Sequence, residues 1–400
     1  MWLDRAARYA QRITILLSRS AFAIGAGVLA LMMVFQSADV VLRYFFSRPV
    51  TGSIELTEFM MVVVIFFGVV HTQLHGGHIN VDLVISRLSA RVQAVVNSVT
   101  TFATLGIFAL ISWQSIIFAQ SLEASQRSSA SWHIPLHPFA YLVAVGSALL
   151  SIVLIGNLSN QLTQAIKGAK RLAQLGLFLV ILLACVLLAA PVWGRGLWEV
   201  SPFTFGIFFI CFLIVITFSG MSIGAVMALV GFLGLVYLTG PGAGLSRTAV
   251  AAYTTSATYS NSMIPLFILM GAFCFHAGLS QNLYLTAYKW LGRLPGGLAM
   301  ATVGACAGFA AVSGSSVATA VTAVTMGTVA LPEMKGYKYD SALATGCVAA
   351  GGTLGILIPP SVPLVIYGIL TEQSIGKLFL AGFLPGILQA ISYMITIYFL

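Results

Sequence analysis

The stretch AAGGTLGILIPPSVP, Ala349 to Pro363, lies inside a run apolar enough to cross a membrane, yet it is poorly suited to an unbroken helix. Gly351, Gly352 and Gly355 loosen a helix. Pro359, Pro360 and Pro363 lack the amide hydrogen that a helix uses and clash with the preceding turn. A continuous helix over 339–371 is therefore not expected. The sequence predicts two half-helices around an unwound middle.

A second anomaly lies just upstream. FAAVSGSSVATAVTAVTMG, Phe309 to Gly327, has Ser313-Gly314-Ser315-Ser316 at its centre, flanked by apolar arms at 297–312 and 317–331. Each arm is about 15 residues, short of the roughly 20 that cross a bilayer. Basic residues flank both outer ends, so the ends share a side. That predicts a re-entrant hairpin with Ser313 to Ser316 at its tip. Backbone that leaves the helix inside a membrane has to line a cavity or be buried in protein. Two such breaks close in sequence point to a transport site. The hydroxyls of Ser313, Ser315, Ser316 and Thr353, with half-helix carbonyls, are hard oxygen ligands suited to Na⁺. Half-helix N-termini offer free N–H groups to an anion. Close helix packing by small residues is the alternative. It accounts for Ser-Gly-Ser-Ser but not for Pro359-Pro360.

Composition sets the class. Of 400 residues, 59% are hydrophobic and 7% charged, and the mean hydropathy is +1.00; soluble domains carry about 25% charged residues. The apolar runs are continuous rather than alternating, which means helices and not a barrel. The net charge of +9 belongs to loops and follows the positive-inside bias, so it does not indicate nucleic acid. The five cysteines (Cys185, Cys211, Cys274, Cys306, Cys347) lie in apolar runs without a CxxC pair, so neither a metal site nor a disulfide framework is indicated.

Along the chain, a basic amphipathic segment, Trp2 to Ser20, reads as a surface helix before spans near 21–42, 54–74, 94–120 and 138–163. The charge bias puts both ends of this four-helix unit, residues 1–172, in the cytoplasm. A connecting helix occupies 173–200. A second block, 201–400, holds spans at 203–219, 222–239 and 248–276, a surface helix at 280–293, the two broken segments, and a last span from 375. Asp39 and Arg43 are i,i+4 on one helix, and Glu55 and Glu58 are i,i+3 on the next. They are candidates to pair across the turn or to contact the second block, set against a solvated interfacial cluster. His78 and Asp82, also i,i+4, read as a local hydrogen bond rather than a metal site. Within 201–400 the only acidic residues are Glu333, Asp340 and Glu372, all near predicted interfaces. A proton-coupled carrier keeps an ionisable group within the membrane, so Na⁺ coupling is favoured over H⁺. An intramembrane serine protease needs a histidine base beside its serine. Every histidine precedes the hairpin and none falls near its tip, so no enzyme is expected.

The residues carry a resemblance. NSMIPLFILMG at 261–271, SGSS at 313–316 and GGTLGILIPPSVPLVIYG at 351–368 resemble the large membrane subunit of tripartite ATP-independent periplasmic (TRAP) transporters. RYFFSRPVTGSIELTE at 43–58 and GGHINVD at 76–82 are similar to the small membrane subunit, and the order resembles the fused form. The resemblance implies a multi-pass protein of the bacterial inner membrane. Its partners would be the lipid bilayer, an organic anion of the carboxylate or sialic-acid class, and a periplasmic substrate-binding protein that delivers it. It implies no cofactor beyond Na⁺ as coupling ion, and an elevator-type large subunit braced by the small one. Carried onto this sequence, Ser313, Gly314, Ser315, Ser316, Gly352, Thr353, Gly355 and Pro359 form the first ion site and one wall of the substrate site. The family's large subunit has two inverted halves; up to Leu400 only one hairpin and one broken helix are present, so the sequence reads as truncated in the second half. The alternatives are a truncated, non-transporting scaffold subunit and a related anion carrier that needs no binding protein.

Overall fold

The computed structural model describes residues 2–166, 202–313, 327 and 330–400. It is all-α: no strand forms among the described residues, only an isolated bridge between Ser128 and Pro135. Among the described residues, six stretches are long and apolar enough to cross a membrane: Thr14–Phe45, Ser53–Leu74, Val92–Ala124, His137–Gln161, Ser341–Leu370 and Ile375–Phe399. The chain is a polytopic membrane protein. It falls into two compact units, Met1–Tyr259 and Ser260–Leu400. The sequence boundaries at 172 and 200, and the connecting helix between them, lie outside the described residues.

In the first unit, α1 (Trp2–Phe45) is one helix of 44 residues. The expected surface helix at Trp2–Ser20 is therefore not separate; no proline interrupts the run, and the basic segment continues straight into the span. Asp39 is buried and organises the return loop. Its carboxylate accepts from the Val50 amide at 2.8 Å and from Arg43 Nη2 at 2.7 Å. Gly52 then starts α2 (Ser53–Leu74) with φ +73°, and a Cβ there would lie 2.8 Å from Trp132 Nε1. Only glycine meets both demands. α3 (Ala90–Ala124) and α4 (His137–Ile166) complete the bundle, with Val62, Ile107, Ile111 and Val143 in a core that also takes in Tyr253. α5 (Pro202–Thr217), α6 (Ile223–Thr239) and α7 (Pro241–Ser256) follow, and Ala103 of α3 packs with Phe209, Val226 and Leu229.

The expected span at 248–276 is not one helix. α7 ends at Ser256, a 3-10 turn covers Tyr259–Ser262, and α8 is Met263–His276. The intervening Thr254-Thr255-Ser256-Ala257-Thr258-Tyr259-Ser260-Asn261-Ser262 is rich in side chains that compete for backbone hydrogen bonds. Pro265 belongs in the first turn of a helix, where its missing N–H costs nothing.

In the second unit, α9 (Leu279–Leu291), α10 (Gly297–Ser313), helical turns over 330–336, α11 (Ser341–Leu357), α12 (Val362–Leu370) and α13 (Ile375–Phe399) surround a core of Tyr284, Phe309, Met334, Leu354 and Ile397. Tyr284 is fully buried and its hydroxyl donates to Glu333 Oε2 at 3.1 Å, fastening α9 to the turns over 330–336.

Candidate functional site

The break between α11 and α12 is narrower than the sequence predicts. Asp340 caps α11, accepting from the Ala342 amide at 2.8 Å and the Leu343 amide at 3.2 Å. The helix then runs through Gly351, Gly352, Thr353 and Gly355 to Leu357. The glycines do not unwind it. Gly351 serves packing instead: a Cβ there would lie 2.8 Å from Cys306 Sγ on α10. The backbone leaves the helix only at Ile358 (φ −75°, ψ 121°), the residue whose helical form Pro359 disfavours, and α12 resumes at Val362. Pro363 sits in the first turn of α12, where proline is tolerated.

Two carbonyls lose their helical donors by covalent necessity, because Pro359 and Pro360 stand four residues after Gly355 and Ile356 and carry no N–H. The buried Ser361 replaces one of them, its Oγ donating to the Ile356 carbonyl at 2.6 Å. The Gly355 carbonyl is the other.

α13 lies directly on this break. A Cβ on Gly382 would sit 2.8 Å from the Leu357 carbonyl oxygen, and one on Gly386 would sit 2.6 Å from Ile358 Cγ1. Gly382-xxx-Gly386 is the small-residue pattern that lets membrane helices approach closely. The same face of α13 continues into Gln389 and Tyr393. Thr353 Oγ1 donates to the Ala350 carbonyl at 2.7 Å and lies 3.1 Å from Tyr393 Oη. Gln389 Nε2 donates to Tyr393 Oη and reaches Thr353 Oγ1 at 3.4 Å, while its Oε1 is buried without a hydrogen-bond partner.

Of the residues predicted for the site, Gly352, Thr353, Gly355 and Pro359 therefore share the α11–α12 segment, with Thr353 turned to α13. Ser313 is the last residue of α10; Gly314, Ser315 and Ser316 lie outside the described residues. Sequence reasoning missed Gly382, Gly386, Gln389 and Tyr393. The GxxxG spacing and the i,i+4 polar pair in an apolar span were the available signals. Among the described residues no cluster of three or more His, Cys, Asp and Glu is placed to hold a metal. The oxygens around Thr353 are hydroxyl, amide and carbonyl.

The four charged candidates of the first unit separate. Asp39 and Arg43 pair with each other at 2.7 Å. Glu55 accepts from the backbone amides of Ser131 at 2.6 Å and Trp132 at 3.3 Å, tying α2 to the α3–α4 loop. Glu58 alone reaches the second block, accepting from the Tyr259 amide at 3.3 Å. His78 and Asp82 lie in a non-helical loop, so the i,i+4 helical pairing does not apply; both line a cleft instead.

Known proteins match along most of the chain. Residues 32–164 match the DctQ component of tripartite ATP-independent periplasmic transporters, and residues 210–400 match the DctM component. The isethionate TRAP transporter permease protein DctMQ of Oleidesulfovibrio alaskensis is 29% identical over 85% of this chain and 51% of its own length. The sialic acid TRAP transporter permease protein SiaT of Haemophilus influenzae is 25% identical over 89% of this chain and 57% of its own. The C4-dicarboxylate TRAP transporter large permease protein DctM of Pseudomonas aeruginosa is 46% identical over 38% of this chain and 34% of its own. The chain spans about half the length of the fused relatives it matches.

Proposed function

We propose, for a chain that belongs to the TRAP transporters and joins their small and large permease components in one polypeptide, that it works in the inner membrane as part of a secondary importer of an organic acid. The relatives are transport permeases, not enzymes. A periplasmic substrate-binding protein delivers the acid, and a Na⁺ gradient drives uptake. The observation that carries the reading is the non-helical stretch Ile358–Ser361 inside an apolar segment, with the Gly355 carbonyl stripped of its donor by Pro359. Such oxygens suit Na⁺, and the amide groups opening α12 suit a carboxylate. Ser313 to Ser316 complete the ion site, and the substrate belongs to the carboxylate or sialic-acid class.

The test uses the complete transporter in proteoliposomes with its binding protein. Uptake of a carboxylate should require an inward Na⁺ gradient and the binding protein. Ser315→Ala, Ser316→Ala and Thr353→Val should each raise the Na⁺ concentration for half-maximal uptake. Uptake driven equally by K⁺, or unchanged Na⁺ dependence in all three variants, refutes the assignment.

A further inference from the structure

In the second unit α9 and the turns over 330–336 meet through tyrosines. The Tyr284 hydroxyl donates to Glu333 Oε2 at 3.1 Å, and a hydrogen bond joins the Tyr288 and Tyr337 side chains. The chain beside this seam is basic. Lys289 adjoins Tyr288, Arg293 follows just past the end of α9, and Lys335 and Lys338 flank Tyr337. All four are exposed. Among the described residues no ion pair engages any of them. The two acids of the same surface are already committed. Glu333 accepts from Tyr284, and Asp340 accepts from the amides of Ala342 and Leu343.

Lys338 stands where a lysine is unusual. The Tyr339 amide donates to the Met334 carbonyl and the Lys338 amide to the Lys335 carbonyl, both at 3.0 Å. That pair of bonds closes a helix through a residue with left-handed backbone, most often glycine. Lys338 takes the position with φ +59° and presents an exposed amine there.

The cations have apolar neighbours. Leu285 is 51% exposed, Trp290 83% and Tyr337 66%. Exposed Trp and Tyr side chains belong at the level of lipid headgroups. α9 has 13 residues, too few to cross a bilayer, and buries one face through Ser280 and Tyr284, as a helix lying along a membrane surface does.

Cations without acidic partners call for an anion, and the apolar side chains among them call for one attached to hydrocarbon. We propose that this surface binds the headgroup of an anionic phospholipid, its phosphate drawn by Lys289 and Arg293 from one segment and by Lys335 and Lys338 from the other. Trp290 packs against the glycerol and acyl region of the same lipid. A free phosphate offers the same charge, but it would leave Leu285 and Trp290 uncovered.

The test is fluorescence of the intact protein reconstituted in mixed bilayers, with brominated phosphatidylglycerol or brominated phosphatidylcholine as quencher. The chain has 6 tryptophans, so the reading is the quenching that Trp290→Phe removes. By that reading phosphatidylglycerol should bind at least about threefold tighter than phosphatidylcholine. Lys289→Gln combined with Lys338→Gly should bring the two lipids to near equality. Lys338→Gly also relieves the left-handed backbone, so the loss cannot come from a weakened turn. Lys377→Gln is the control. It removes an exposed cation at the start of α13, the end away from Ile397 and its contact with Gly296, and should leave the preference unchanged. Equal quenching by both lipids, a preference kept in the double variant, or an equal fall with Lys377→Gln overturns the proposal. So does loss of the preference to millimolar inorganic phosphate, which would assign the surface to the free anion.

Discussion

Gly382→Ala puts the packing of α13 on the break to a quantitative test. The added Cβ would stand 2.8 Å from the Leu357 carbonyl oxygen and 2.8 Å from Leu364 Cδ1, where 3.4–4 Å is ordinary contact. Leu364 can rotate away. The Leu357 carbonyl cannot, because it is the last turn of α11, fixed by the two prolines that follow. Overpacking of this kind costs about 1–3 kcal/mol. Alanine returns up to about 1 kcal/mol of helix preference over glycine, so the net loss is roughly 0–3 kcal/mol. Gly346→Ala is the control. It lies inside α11 with nothing within 4 Å of its would-be Cβ, so only the propensity term acts and the protein gains up to about 1 kcal/mol. The two variants should differ by about 1–3 kcal/mol, Gly382→Ala being the weaker. Gly386→Ala should also fall below Gly346→Ala, since its Cβ would stand 2.6 Å from Cγ1 of the buried, β-branched Ile358. The assay is the unfolding midpoint of each variant in the same detergent. If Gly382→Ala is as stable as Gly346→Ala, α13 does not press on the break and its part in shaping the site is wrong.

Three other outcomes follow from the geometry. Tyr284→Phe should cost about 0.5–1.5 kcal/mol in unfolding experiments; because burial, then Glu333, push the phenol's pKa up, the loss should be the same from pH 5 to 9. Asp39→Ala strands the Val50 amide and should cost about 1–3 kcal/mol, whereas Arg43→Ala should cost under about 1 kcal/mol because Arg43 is 48% exposed; equal losses would mean the ion pair, not the loop contact, matters. His78 has its folded pKa lowered by burial from 6.5, so the unfolded chain takes up the proton first as pH falls. Stability should then decline as pH drops below about 6.5 toward the folded pKa, and His78→Gln should remove that part of the slope in a melting series; an unchanged slope refutes it.

Proline and glycine were unequal guides to this fold, for a physical reason. Pro359 and Pro360 remove hydrogen bonds that no packing can restore, so the break sits where they stand. Gly351, Gly352 and Gly355 carry only a preference of about 1 kcal/mol per residue, which contact between α10 and α11 overrides. The apolar average over 248–276 hid the polar run Thr254 to Ser262, so a broken segment was read as one span. Single residues of the candidate site were legible: Thr353 and Pro359 are conspicuous in an apolar stretch. Their neighbours were not, since Gln389 and Tyr393 lie 36 and 40 residues beyond Thr353 and no local rule sets that pairing.

The region of the α11–α12 break follows from one count, the oxygens that have lost their donors. They are the Gly355 carbonyl, deprived by Pro359, and, on α13, the buried Oε1 of Gln389. In water such oxygens are satisfied at once. At membrane depth they stay costly until a cation, a donor or trapped water meets them. The run of serines at 313–316 drew the sequence reading away from the proline break. Counting which carbonyls a proline orphans leads to Gly355 directly, and from there to the glycine face of α13.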